Sequence, residues 1–336
     1  MAMHPDAMQP DLVMSASARP GIGKPFALVG LVWLAIVAVT FQDWAAMAHQ
    51  WWNIDTYSHI LLVPPIILWL IYIRVGEVRK VAAGGWWGGI AVTAVGLCMW
   101  FAGRNTDINL VAQCGAVVAL QGTALGVLGL RAGVILAFPL GYMLFLVPFG
   151  DEIIPPLQFL TAEMVTALTR WSGVETVADG INIDTPAGLF IVAEECAGVK
   201  FLIAMLTLGI LVAQTCFASW KRRAWFLLAC IVVPILANAV RAWATIYIAQ
   251  YVGAEAAGSF DHIVYGWIFF GIVIAIVLGI AWRLFEREPE EAGWAAEEVA
   301  GMSLVTQLQG KPADPAIVCG AAIAVTLAFA VILRLV

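Results

Sequence analysis

Residues 196–217 read Cys-Ala-Gly-Val-Lys-Phe-Leu-Ile-Ala-Met-Leu-Thr-Leu-Gly-Ile-Leu-Val-Ala-Gln-Thr-Cys-Phe, with a single charge, Lys200, near the start. A helix of about 20 mostly apolar residues covers the ~30 Å hydrocarbon core of a bilayer, so this stretch reads as a membrane span. Working outward, runs of the same kind lie near 26–42, 59–74, 86–102, 108–130, 133–149, 224–250, 262–284 and 316–335, which makes nine. Composition agrees. With 62% hydrophobic and 12% charged residues, the chain has too little polar surface to coat a soluble globule of this size. The expected fold class is therefore an all-α polytopic membrane protein of about eight to nine transmembrane helices.

Orientation follows from the basic residues, which fall in alternate connections: Arg19 and Lys24; Arg74, Arg79 and Lys80; Arg131; Lys221, Arg222 and Arg223; Arg283 and Arg287. Lys and Arg mark the cytoplasmic side, so the N-terminus is expected to be cytoplasmic, with 43–58, 103–107, 150–195 and 251–261 outside. The chain divides in expectation into a flexible cytoplasmic tail (1–25), a transmembrane core (26–285), an acidic, solvated cytoplasmic linker (286–314) and a C-terminal span (315–336). Pro64 and Pro65 imply that the second span is kinked or begins as an irregular re-entrant turn.

The net charge of −6 comes from acids gathered in one loop and one tail, and no basic patch suggests nucleic acid as a partner. The six cysteines form no CxxC pair or ligand cluster, so neither a metal nor an organic cofactor is expected.

In the long outer segment, Pro155-Pro156 precedes Leu157, Leu160, Met164, Leu168 and Trp171 at helical spacing, which suggests an interfacial helix lying on the outer leaflet. After Gly173, β-branched and polar residues alternate around Gly180 and Pro186, the pattern of a small hairpin before the sixth span.

Ionisable groups inside a membrane cost a few kcal/mol each, which makes each a functional candidate. Cys196 sits in Glu194-Glu195-Cys196-Ala197-Gly198-Val199-Lys200, where the outer segment enters span six. A helix N-terminus favours a thiolate and the neighbouring glutamates oppose it. Arg241 lies about 27 Å along span seven from Arg223 at 1.5 Å per residue, with Asn238 one turn below on the same face. His262 opens span eight in Asp261-His262-Ile263. Alternating topology puts these three positions in one outer layer. A thiol, a cation and an imidazole there supply a nucleophile, a charge stabiliser and a proton carrier. His59, in Thr56-Tyr57-Ser58-His59 at the outer start of span two, is a second base, a substrate-orienting group or a capped helix start.

At these residues the chain resembles the exosortase/archaeosortase family, in its bacterial exosortase branch. The ordered motifs are Thr56-Tyr57-Ser58-His59 with Val63-Pro64-Pro65, Val147-Pro148, Glu195-Cys196-Ala197-Gly198, Asn238-x-x-Arg241, and His262 with Gly266-Trp267. The resemblance implies catalytic roles for Cys196, Arg241 and His262, with His59, Asn238, Glu195 and Lys200 in support. It also implies a membrane cysteine protease/transpeptidase that cleaves PEP-CTERM-like sorting tails of exported proteins, each a signal motif followed by a transmembrane helix and a basic end. Through a thioester, the product would pass to an envelope acceptor, a lipid or a glycan. The family commonly has Ser after the cysteine, Arg two past the glycine and Gly after the span-two histidine, where this chain has Ala197, Lys200 and Ile60.

Two alternatives use the same residues differently. In a glutamate-type intramembrane protease, Glu194 and Glu195 with a histidine would activate water. In a transporter, Lys200, Arg241 and acidic partners would form an intramembrane charge relay. The transporter predicts polar residues continuing through the bilayer, whereas those of spans six to eight thin out below the outer half.

Overall fold

A computed structural model of the chain describes residues 23–81, 84–254, 257 and 266–335. Among these, five helices are long and apolar enough to cross a membrane: Asp55–Val78, Asn109–Leu128, Val199–Cys216, Trp220–Val252 and Pro315–Ile332. Counting broken helix pairs as single spans raises the number to seven, fewer than the nine expected. The protein is an all-α polytopic membrane protein carrying one small sheet. Its chain groups into two compact units, one of residues 23–53, 60–148 and 293–335, the other of 54–59 and 149–292.

In the first unit, α1 (Gly23–Val39) ends one residue before α2 (Phe41–Asn53), which departs at 88°. Part of the loop expected at 43–58 is thus helical. The corner is held by Asp43, 3% exposed, which accepts a hydrogen bond from Trp100 Nε1 (2.8 Å) and pairs with Arg104 (3.7 Å). A buried carboxylate survives only with such partners. Pro64 and Pro65 open α3 (Val63–Val78), where a missing N–H costs nothing, after a 3-10 turn over Asp55–Leu62. The run at 133–149 is not one helix but α6 (Leu130–Ile135), α7 (Ala137–Tyr142) and a 3-10 turn, Met143–Leu146. Pro139 cannot donate to the preceding turn, and Pro148 holds Val147 extended.

The axis of this unit is the pairing of α4 (Trp87–Asn105) with α5 (Asn109–Leu128). Gly89, Gly96 and Gly103 recur every seventh residue on α4 and meet the backbone of α5. A Cβ on Gly96 would lie 2.4 Å from Ala119 N, one on Gly115 2.3 Å from Trp100 N, and one on Gly122 2.4 Å from Thr93 N. Small residues let helix backbones approach this closely, which is how helices associate where lipid removes the hydrophobic driving force.

The segment 286–314, expected as an acidic, solvated linker, includes α12 (Ala296–Gly301) and α13 (Ser303–Gln309). Ala296 N donates to Glu77 (2.8 Å), Trp86 Nε1 to Leu308 O (2.8 Å) and Leu130 N to Gln309 Oε1 (2.7 Å). Gly85 and Ala313 exchange backbone hydrogen bonds at 2.8 and 2.9 Å, and Arg74 donates to Trp294 O. The last helix, α14 (Pro315–Leu335), then packs on α1, α4 and α5.

In the second unit, α8 (Ile154–Trp171) precedes an antiparallel meander of β1 (Val177–Asp179), β2 (Asn182–Thr185) and β3 (Gly188–Ile191). The expected hairpin gains this third strand because Thr185-Pro186-Ala187 turns the chain back and Gly188 takes φ +128°. Fully buried Ile183 of β2 joins Ala162 and Val165 of α8 in one cluster. Of the stripe expected on α8, Leu160 and Trp171 are exposed, Met164 and Leu168 are half-buried and Leu157 is buried, on an inner face with Thr161, Ala162, Val165 and Thr169. Next come α9 (Val199–Cys216), α10 (Trp220–Val252) and α11 (Gly266–Trp282), packed around Phe201, Met205, Cys230, Phe270 and Val273. Beyond α11, Glu286 accepts hydrogen bonds from Ala218 N (2.8 Å) and Ser219 N (2.7 Å) at the start of α10 and pairs with Arg222 (3.3 Å).

Two outcomes are expected in detergent-solubilised protein. Gly96→Leu, which places a side chain where backbone already sits, abolishes monodisperse folded protein by size-exclusion chromatography, whereas Gly30→Leu, where a Cβ meets nothing within 4 Å, does not. Glu286 is held below the usual glutamate range, chiefly by the Ser219 amide. Its stabilisation is therefore present above that range and lost as pH falls through the lowered value. Glu286→Gln is expected to lower Tm at pH 7, with a difference from wild type that closes on acidification.

Candidate active site

Cys196 ends a 3-10 turn, Glu194–Cys196, and stands three residues before α9 rather than within it. Gly198 makes the turn possible. It adopts the left-handed conformation (φ +83°) and leads directly into α9. It also has no room for a side chain, since a Cβ there would lie 2.7 Å from Asn238 Cγ and 2.8 Å from Nδ2. Both demands select glycine.

Asn238 and Arg241 sit three residues apart on α10 and so share a face. Asn238, 1% exposed, donates from Nδ2 to the Cys196 carbonyl at 2.8 Å. A carbonyl only accepts, which fixes the amide's orientation. Its Oδ1 is buried with no hydrogen-bond partner among the described residues, a state that costs about 1–3 kcal/mol. Arg241, 5% exposed, lays its guanidinium 5.5 Å from the centroid of the Phe201 ring in the first turn of α9. Lys200 Nζ is 5.3 Å from the same ring, and Phe270 backs it at 4.6 Å between centroids. Such cation–π contacts strengthen when desolvated. One face of α10 therefore grips both the cysteine turn and the start of α9.

The half-buried Cys196 packs with Ala242 and Trp243 against the cluster of Ala162, Val165, Ile183, Val192 and Ile246. Gln158 Nε2 donates to Val192 O (2.5 Å) and Thr161 Oγ1 to Ala197 O (3.4 Å), so α8 braces the turn on both sides of the cysteine.

Beside it opens a cleft of about 400 Å³, lined by Ile54, Thr56, Asp151, Ile154, Pro155, Glu194, Glu195, Val199 and Lys200. Tyr57, 3% exposed, donates to Asp151 and so fastens the turn at 55–59 to the start of α8. His59 is half-buried, and its Nδ1 donates to Thr56 O (3.1 Å), which leaves Nε2 to act as an acceptor in the neutral ring.

Of the sequence candidates, Cys196, Asn238 and Arg241 come together at the α9–α10 junction, and Glu195 and Lys200 line the adjacent cleft. His59 lies two residues beyond Tyr57, and His262 falls outside the described residues. Phe201 gave no signal of its own inside an apolar run. The Tyr57–Asp151 pair was equally hidden, because its members are 94 positions apart.

The fold and this junction define a polytopic membrane protein that presents a cysteine, a buried arginine and an acidic cleft at the entry to one span. A model of the transmembrane exosortase family matches residues 51–279, more than half of the chain, and the protein belongs to that family. It is a membrane sorting enzyme. No curated protein and no solved structure matches it.

Gly198→Ala is expected to cost roughly 1–3 kcal/mol in strain and overpacking, read as a lowered Tm in detergent. Gly173→Ala, also at positive φ (+81°) but with nothing within 4 Å of the added Cβ, is expected to cost less.

Proposed function

We propose that the protein is a cysteine peptidase/transpeptidase that removes C-terminal PEP-CTERM-like sorting tails from exported proteins. Cys196, as thiolate, attacks the carbonyl carbon of the scissile amide. The tetrahedral oxyanion is stabilised by Arg241, the C–N bond breaks, and His262 donates a proton to the departing amine. A thioester remains on Cys196. An incoming amine, hydroxyl or water then loses its proton to His262, attacks the thioester and releases the thiolate, which closes the cycle. The acceptor belongs to the envelope, a lipid or a glycan. His59 orients substrate or serves as a second base, Glu195 and Lys200 line the cleft, and Asn238 supports the cysteine turn.

The observation that carries this reading is the shared grip of α10. Asn238 on the Cys196 carbonyl and Arg241 on the ring of Phe201, which α9 presents just past the cysteine turn, tie the proposed nucleophile and the proposed oxyanion partner to one helix face. In this reading the protein lies in the bacterial inner membrane with its N-terminus cytoplasmic. The α8 stripe, with Leu160 and Trp171 exposed, lies on the outer leaflet, and the site opens to the outer face. A substrate helix then arrives through lipid while the residues preceding it stay wet.

The cleft favours one competitor specifically, because Glu194 and Glu195 both line it. In a glutamate-type protease these carboxylates would activate water.

Co-expression with a tagged substrate bearing a PEP-CTERM-like tail separates the two. At matched membrane levels, Cys196→Ala is expected to abolish tail loss, Arg241→Ala to slow it by about 10²–10³-fold and His262→Ala by about 10²–10⁴-fold, while Glu195→Gln retains it. Normal processing by Cys196→Ala together with loss in Glu195→Gln establishes the glutamate mechanism instead.

A further inference from the structure

Asn238 is an expensive residue for its place. It lies in the middle of α10, 1% exposed, in a helix of apolar character. Only one of its two polar ends is used among the described residues, since Nδ2 donates to Cys196 O and Oδ1 is buried without a partner. A leucine would fill the same region with no unsatisfied atom, so space-filling does not account for an amide there. What the amide does that an apolar side chain cannot is hold one peptide plane, the one joining Cys196 to Ala197.

That plane fixes the backbone on the C-terminal side of the cysteine. Cys196 closes a 3-10 turn and Gly198 takes φ +83°, so the intervening peptide lies outside α9; its N–H, that of Ala197, donates to Glu194 O within the turn (3.1 Å), and its carbonyl takes a partner from outside the turn. Asn238 fixes it from α10. Its side chain also sits beneath Gly198, at distances that leave no space for a Cβ, which bars the turn from sliding along the helix. Arg241 projects from the same face one turn further on and rests on Phe201.

We propose that Asn238 is the positioning residue of this site, its amide N–H setting the direction of the Cys196 thiol relative to Arg241. The proposal rests on the reading of Cys196 as nucleophile. It predicts a loss in turnover rather than in substrate binding, because the amide acts through the Cys196 carbonyl.

Asn238→Leu isolates the hydrogen bond, because it keeps a side chain of similar shape beneath Gly198 and removes the donor at every pH. Asn238→Ala removes both, and Asn238→Ser keeps a donor in a smaller side chain. In the purified full-length protein, two quantities are followed. One is kcat and KM for a synthetic peptide carrying a PEP-CTERM-like tail. The other is the rate of Cys196 alkylation by iodoacetamide, read by mass spectrometry on the peptide containing that residue. With monodisperse protein, Asn238→Leu and Asn238→Ala are expected to lower kcat about tenfold, the worth of one ordinary hydrogen bond, with KM unchanged. The alkylation rate shifts in both, and Asn238→Ser falls between Ala and wild type.

Wild-type kcat and alkylation in Asn238→Leu, with failure only in Asn238→Ala, overturn the proposal and leave a packing role. Where Leu and Ala variants both fail to accumulate, Asn238→Ser decides: partial recovery supports the donor role, and failure equal to Ala overturns it. The alkylation arm is independent of catalysis. If Cys196→Ala still processes the peptide, the nucleophile reading fails, while the effect of Asn238 on the thiol stands or falls on alkylation alone.

Discussion

A single close approach governs the site. Gly198 presses its α-carbon against the side chain of Asn238, nearer than any Cβ would permit, and from that contact the neighbouring arrangement follows. The cysteine turn must end in a left-handed residue, α9 must start beside the middle of α10, and the amide must face the Cys196 carbonyl. Three positions on, Arg241 reaches the first turn of α9 and lies over Phe201. The two motifs that look separate in sequence, Cys-x-Gly and Asn-x-x-Arg, are the two halves of one helix–helix contact.

The first unit rests on the same physical rule applied without chemistry. Lipid offers no hydrophobic reason for helices to associate, so close backbone packing has to supply the attraction. The glycines of α4 and α5 provide it. The C-terminal segment then adds to this unit through hydrogen bonds that a free tail would not make, among them the reciprocal pair between Gly85 and Ala313. Although the family match ends at residue 279, α14 packs within this unit as an integral helix.

How much of this was legible in the sequence depended on whether the signal was local. Apolar length identified membrane helices; a polar mouth on an apolar run singled out Cys196 and a charge within a span singled out Arg241, with Asn238 on the same face, because ionisable groups in such places need a reason. Hydropathy misjudged what depends on partners. It could not see the 88° corner after α1, since Asp43 is tolerable there only because Trp100 and Arg104 meet it. It merged α6 and α7 into one span because averaging over a window hides a proline break. It gave no helix within 286–314, because an acidic stretch looks alike whether or not its backbone finds partners, as Ala296 finds Glu77. It read the Leu stripe of α8 without knowing which way it faces. Phe201 was invisible because an aromatic residue in an apolar run reads as filler until a cation is found on it.

The central claim is covalent, that the substrate acyl group passes through Cys196. Its most direct test is to trap that group. Membranes containing the full-length protein are mixed with an epitope-tagged substrate, quenched in acid and analysed by non-reducing gel and mass spectrometry. The account predicts a tagged adduct on the peptide containing Cys196, released by neutral hydroxylamine and absent in Cys196→Ala. Tail loss that proceeds in Cys196→Ala, with no hydroxylamine-sensitive adduct on the wild-type protein, would contradict it.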